Sequence, residues 1–145
     1  MKKVKRIIWL EDEPETIDVI KSLLKEYCDD ICVRQSFIGF SNELEELEDV
    51  CNNIIIIDIR MIFSREMSFS CFEQQNIKIN NELDSGFEYF NYCIKKRFEK
   101  VKVIFFSSKP KFDTMKDAKK HKIDTSLIVS KDFTSELISI IKGML

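Results

Sequence analysis

Residues 54–58 read Ile54-Ile55-Ile56-Ile57-Asp58, four isoleucines running into an aspartate. β-Branched side chains favour extended backbone, and an unbroken apolar run of this length marks a strand covered on both faces. Such strands belong to parallel sheets sandwiched between helices. Ile7-Ile8-Trp9-Leu10 repeats the pattern and stops abruptly at Glu11-Asp12-Glu13. Pro14 then suits the first turn of a helix on which Ile17, Ile20, Leu23, Leu24 and Tyr27 recur at helical spacing.

Outward from these two strands the alternation continues. Ile31 to Phe37 reads as a second strand, and Ser41 as the N-cap of a helix holding Leu44, Leu47 and Val50. From Ser85 a helical pattern places Phe87, Phe90, Ile94 and Phe98 on one face. Val101 to Phe106 is a fourth strand, ending at Ser107-Ser108. Lys111 to His121 reads as a short basic helix with His121 at the surface. Leu127-Ile128-Val129 is a fifth strand ending at Ser130-Lys131, and Thr134 or Asp132 caps a last helix carrying Leu137, Ile138, Ile141 and Leu145. Residues 61–82 follow neither period. The alternation predicts one α/β domain over residues 1–145, with an open parallel sheet. Ligands of such sheets bind at the carboxyl ends of the strands.

The bulk composition excludes several classes. With 145 residues the chain can bury a core without disulfide or metal staples. Its 23 basic and 25 acidic residues leave a net charge of -2, so no overall field draws it to nucleic acid or anionic membrane. Cys28, Cys32, Cys51, Cys71 and Cys93 are odd in number and lack zinc-site spacing, and His121 is the sole histidine. Free, mostly buried thiols in a reducing cytoplasm are expected. The apolar run behind the basic Met1–Arg6 segment is too short for a signal-peptide core or a membrane span.

The chemistry gathers at the strand ends: Glu11, Asp12 and Glu13 after the first strand, Asp58 after the third, Ser107 and Ser108 after the fourth, Lys131 after the fifth. Alone, Glu11–Glu13 reads as a solvated helix start, where acids are favoured. Lys131 alone reads as a surface lysine and Ser107 as a turn residue. Together, all-oxygen ligands without thiolate or imidazole suit a hard cation such as Mg2+. A nucleophilic carboxylate, a hydroxyl and an ammonium beside it suit phosphoryl transfer.

These segments resemble the response-regulator receiver domains. Ile7 to Pro14 is similar to their first strand, whose acidic pair precedes Glu-Pro; Ile57-Asp58-Ile59-Arg60-Met61 is similar to their phosphoacceptor segment. Asp84-Ser85-Gly86-Phe87-Glu88 resembles the opening of their third helix, while Ser107 and Lys131 stand where they carry Ser or Thr and lysine. The resemblance spans nearly the whole chain except residues 62–82. It implies a flavodoxin-like five-stranded parallel sheet of order 2-1-3-4-5 with helices on both faces, bringing the first and third strands side by side. It further implies that Asp58 accepts a phosphoryl group from a histidine kinase or a phosphotransfer protein. Glu11, Asp12, Asp58 and the backbone carbonyl of Arg60 would hold Mg2+, and Ser107 and Lys131 would bind phosphoryl oxygens.

The departures are as informative. Glu11 replaces the usual aspartate, Ile128 the usual switch aromatic, and Asp132 the usual proline. A cis bond before a non-proline residue costs about 3–4 kcal/mol, so a trans bond is expected there. Arg60 and Lys109 stand at positions that border the attacking water in the family, and are expected to change acyl-phosphate lifetime. Between Asp58 and Gly86 roughly 20 extra residues are inserted, beyond ordinary loop lengths; Phe63, Phe69, Phe72 and Ile77 predict that this insertion packs.

Three functions compete. The first is a phosphorylation-dependent switch, not an enzyme, signalling through an unknown output protein, with no direct nucleic-acid or membrane contact. The second is a degenerate receiver acting as a phosphate-independent interaction module. The third is an aspartyl phosphatase, which wants a second acid two residues after its nucleophile, where this chain has Arg60.

Overall fold

The computed structural model describes residues 4–61, 68–72, 74–79 and 82–144. Among these, seven strands occur: β1 (Arg6–Leu10), β2 (Ile31–Arg34), β3 (Asn53–Asp58), β4 (Ser68–Cys71), β5 (Gln74–Lys78), β6 (Lys102–Ser107) and β7 (Ile128–Ser130). Five of them form one parallel sheet of order β2-β1-β3-β6-β7, which is the expected order 2-1-3-4-5 counted along the sheet strands. The helices are α1 (Asp18–Leu24), α2 (Phe37–Glu45), α3 (Ser85–Tyr89), α4 (Lys111–Lys120) and α5 (Thr134–Gly143).

The isoleucine run of β3 explains the layering. Successive side chains of a strand point to opposite faces. Ile54 and Ile56 join a core with Ile7, Trp9, Ile104 and Phe106, covered by Ile20 and Leu24 of α1 and Leu137 and Ile141 of α5. Ile55 and Ile57 join a second core with Ile8, Leu10 and Phe105, covered by Phe37, Phe40 and Leu44 of α2 and Phe87 and Tyr89 of α3. Both faces are dry, so a strand here cannot alternate with polar residues.

Several local expectations shift. The second strand stops at Arg34, and Phe37 opens α2, because Phe37, Phe40 and Leu44 together cover the sheet at helical spacing. Ser36 is the N-cap, its hydroxyl accepting from the Gly39 N–H at 3.1 Å. Ser41 lies buried inside α2 instead, 2.6 Å from the Tyr89 hydroxyl on α3. Pro14–Ile17 forms a 3-10 turn before α1. Helix α3 gives way to a π-helical turn over Phe90–Ile94. At α5 neither expected cap acts: Phe133 holds the N-cap position and Thr134 is already helical. Of the thiols described, Cys28 and Cys93 are buried, Cys32 is partly buried and Cys51 is exposed; the Cys71 side chain lies outside the described residues. No described peptide bond is cis, Lys131–Asp132 included.

At its described residues the insertion packs, through Phe72 and Ile77; the Phe69 side chain lies outside the described residues. Strands β4 and β5 pair as an antiparallel hairpin, with Phe69, whose partner in the ladder is Ile77, on β4. Ile77 and Ile79 are buried in the α2–α3 core, and the Phe72 ring meets Phe98 edge-on under the Arg97 guanidinium. Phe63 lies outside the described residues.

Two joints fix the strand ends. The Gly86 N–H donates to the Ile59 carbonyl at 2.8 Å, and the Ser85 hydroxyl bridges the Ile59 carbonyl (3.3 Å) and the Met61 N–H (3.0 Å). A Cβ on Gly86 would overlap the Asp58 carbonyl oxygen and lie 2.7 Å from Ile59 Cα, both backbone atoms that cannot rotate away. At the far end of α4, the Ile123 N–H reaches the Ala118 carbonyl, with Lys122 at φ 58°. His121 is therefore not a plain surface residue: its Nε2 lies 3.1 Å from Asp84 Oδ2, and its carbonyl accepts from Asn91 Nδ2 at 3.0 Å.

Gly86→Ala is expected to destabilise the fold by about 1–3 kcal/mol, the usual cost of overpacking, because backbone must move. A urea titration that gave wild-type stability would show that this close approach is not required.

Candidate phosphoacceptor site

The ends of β1 and β3 bring three acids together. Glu11 is completely buried, Asp58 is 4% exposed, and Asp12 is partly buried. One carboxylate oxygen from each lies within 4.8 Å of the others. Lys131, delivered by the end of β7, places Nζ 2.7 Å from Glu11 Oε1 and 3.5 Å from Asp58 Oδ2. The second Glu11 oxygen, Oε2, has no hydrogen-bond partner among the described residues.

Three acids facing one ammonium leave excess negative charge in a dry place. Burial, and then the Glu11 carboxylate close enough to share a proton, push the Asp58 carboxyl up to about 10, while Lys131 opposes the rise. Burial pulls Lys131 the other way, but the Asp58 charge and the Glu11 hydrogen bond outweigh it and hold its ammonium above the ordinary lysine value. A hard dication would relieve this excess. Clustered carboxylate oxygens, a buried orphan oxygen and the lack of soft donors fit Mg2+.

The remaining expected residues stand around this centre. Ser107, 5% exposed at the end of β6, accepts on its carbonyl oxygen from the Lys131 N–H at 2.7 Å, which ties the ends of β6 and β7. The Arg60 N–H donates to Asp58 Oδ1 at 3.3 Å, so Arg60 stands at the rim with its side chain exposed. A cavity of about 210 Å³ opens beside Asp58, lined by Asp58, Arg60, Ser107, Lys109, Thr114 and Asp117 among others. Lys109 does not hang free over it: Nζ is paired with Asp117 Oδ2 at 2.7 Å. Sequence reasoning missed Thr114 and Asp117, which reach the site from α4. Their only sequence signal is position on the first turns of a helix after Ser107, which is too common to single them out.

No family model matches this sequence, and no curated protein matches it. Solved structures do. An RcsB response regulator from Salmonella typhimurium, studied for conformational dynamism in DNA interaction, superposes at TM-score 0.63 with 16% identity over 99% of this chain. The fold is that of a response-regulator receiver domain. The present chain spans only 62% of that RcsB chain. A response regulator from Colwellia psychrerythraea matches at TM-score 0.59 and 14% identity, covering 98% of this chain and 97% of its own. At such identities the likeness carries the receiver fold and no more. No helix among the described residues is long and apolar enough to cross a membrane.

The raised Asp58 carboxyl has a consequence for stability. Between the ordinary aspartate value of 3.8 and about 10, the folded metal-free protein holds a proton that the unfolded chain has lost. Stability therefore falls as pH rises through that window. Asp58→Asn removes this liability. In chelator it is expected to be more stable than wild type, by about 1 kcal/mol or more at pH 8, with a smaller gap at pH 5. Denaturant titrations at both pH values check this, and an equal or reversed gap contradicts it.

Proposed function

We propose that this protein is a phosphorylation-operated switch whose acceptor is Asp58. The observation that carries the proposal is the arrangement around one buried aspartate: Glu11 and Asp12 within 4.8 Å, and Lys131 Nζ at 3.5 Å. The donor would be a histidine kinase or a phosphotransfer protein, and the output a protein contact in the cytoplasm. The protein itself, rather than a separate substrate, is what becomes modified, so it is not an enzyme in the ordinary sense.

A divalent cation such as Mg2+, held by Glu11, Asp12 and Asp58 and by the Arg60 carbonyl, would supply the positive charge that keeps Asp58 ionised and offsets phosphoryl charge. An Asp58 carboxylate oxygen then attacks phosphorus, the bond from phosphorus to the donor breaks, and the donor leaves with the electron pair. Lys131 is near enough to Asp58 to exchange its Glu11 contact for a phosphoryl oxygen. Ser107 would donate its hydroxyl proton to another oxygen. The added charge of about -1.5 to -2 is what the rest of the domain must answer. Hydrolysis reverses the state, water attacking phosphorus and releasing the Asp58 carboxylate.

Incubation with Mg2+ and acetyl phosphate is expected to add one phosphoryl group by intact mass, and Asp58→Asn to abolish it. No adduct on the wild type, with no beryllofluoride binding either, would favour a phosphate-independent interaction module. Arg60 and Lys109 line the cavity beside Asp58, from which attacking water would come. Replacing both with serine is expected to shorten the acyl-phosphate half-life severalfold, as the cavity opens and loses positive charge. An unchanged decay rate contradicts that role.

A further inference from the structure

We propose that Thr114 is a positioning residue that holds the Ser107 hydroxyl in the resting state and so links Asp58 to α4; this rests on Asp58 being the phosphoacceptor. Thr114 is 1% exposed, and its Oγ1 lies 3.2 Å from Ser107 Oγ across the gap between α4 and β6. The same Oγ1 lies 3.1 Å from the Pro110 carbonyl oxygen, one turn back. A carbonyl only accepts, so the single Thr114 proton goes to Pro110. The Ser107–Thr114 bond is then made with the Ser107 proton. The Lys109 N–H, 3.1 Å away, occupies a lone pair of Ser107 Oγ. Ser107 thus keeps no proton for a third partner.

A phosphoryl oxygen on Asp58 also only accepts. Ser107 can bind it only by withdrawing its proton from Thr114, which leaves a buried threonine with one partner fewer. That loss falls on the first turns of α4, where the Thr114 N–H also bonds the Pro110 carbonyl at 3.1 Å. The far end of α4 is held separately, by His121 on Asp84 and Asn91. Loosening at the near end alone therefore turns the helix about its anchored end, moving the exposed Phe112 and Lys116. On the next strand Ile128 of β7 is buried and has no hydroxyl to follow Ser107. The bond also sets a threshold, because every phosphoryl group bound must first break it.

The test is a beryllofluoride titration in Mg2+ by calorimetry, joined to hydrogen exchange of the α4 amides. Thr114→Val is expected to bind beryllofluoride roughly fivefold tighter than wild type, since the ligand no longer breaks a hydrogen bond. Thr114→Ser is expected to restore wild-type affinity. In a Ser107→Ala background the Thr114→Val effect is expected to vanish, the signature of direct coupling. Exchange in the first turns of α4 is expected to rise in wild type on binding, and to be already raised in Thr114→Val without ligand. Thr114→Ala serves if the valine variant does not fold. Wild-type binding with equal affinity in Thr114→Val, or an effect that survives Ser107→Ala, overturns the role of Thr114 alone. Absence of binding to wild type overturns it together with the proposed function.

Discussion

Three carboxylates and one ammonium meet where β1, β3 and β7 end, and the rest of the site is arranged around that imbalance. Glu11 is completely buried with one oxygen unpartnered, and Asp58 carries a carboxyl pushed far up by burial and by Glu11. A domain optimised only for stability would not keep such a group. The cost falls on the fold; under the proposed function, the site would gain a nucleophile that a cation could ionise.

The extra methylene of Glu11 changes how the imbalance is shared. Lys131 lies nearer to Glu11 than to Asp58, 2.7 Å against 3.5 Å. Charge-assisted hydrogen bonds are strong at the shorter distance and weaken quickly beyond it. The lysine therefore rests mainly on Glu11 and only partly on Asp58. Ser107 is likewise engaged elsewhere, with Thr114. Both groups that the proposed function would bring to a phosphoryl oxygen are attached to other partners. The unmodified state is held by bonds of its own.

The frame that holds these groups is tight at Gly86. The missing side chain of Gly86, with its N–H on the Ile59 carbonyl, lets α3 begin against the end of β3 itself. That contact re-closes the chain after a detour of some twenty residues, so the hairpin can be accommodated without moving Asp58. Phe72, Ile77 and Ile79 dock the detour on the α2–α3 face, away from the crowded strand ends.

The layered sheet, its strand order by resemblance, and the acids and lysine at its strand ends were legible in the chain, because a buried strand imposes its pattern on consecutive residues. Ile54 to Ile57 can serve two cores only if every position is apolar. The errors fell where local signals were ambiguous. Ser36 and Ser41 are equally good caps in isolation, and only the need to bury Phe37 and Phe40 together chooses Ser36. The hairpin in residues 62–82 was hidden because short strands packed on helices need no strict alternation. What sequence alone determined is the set of chemical groups and the strand each follows. What only tertiary structure decided is which partner each group holds: Lys131 on Glu11, Ser107 on Thr114, His121 on Asp84. Such pairings join residues from separate elements, at distances set by packing, and no local periodicity encodes them.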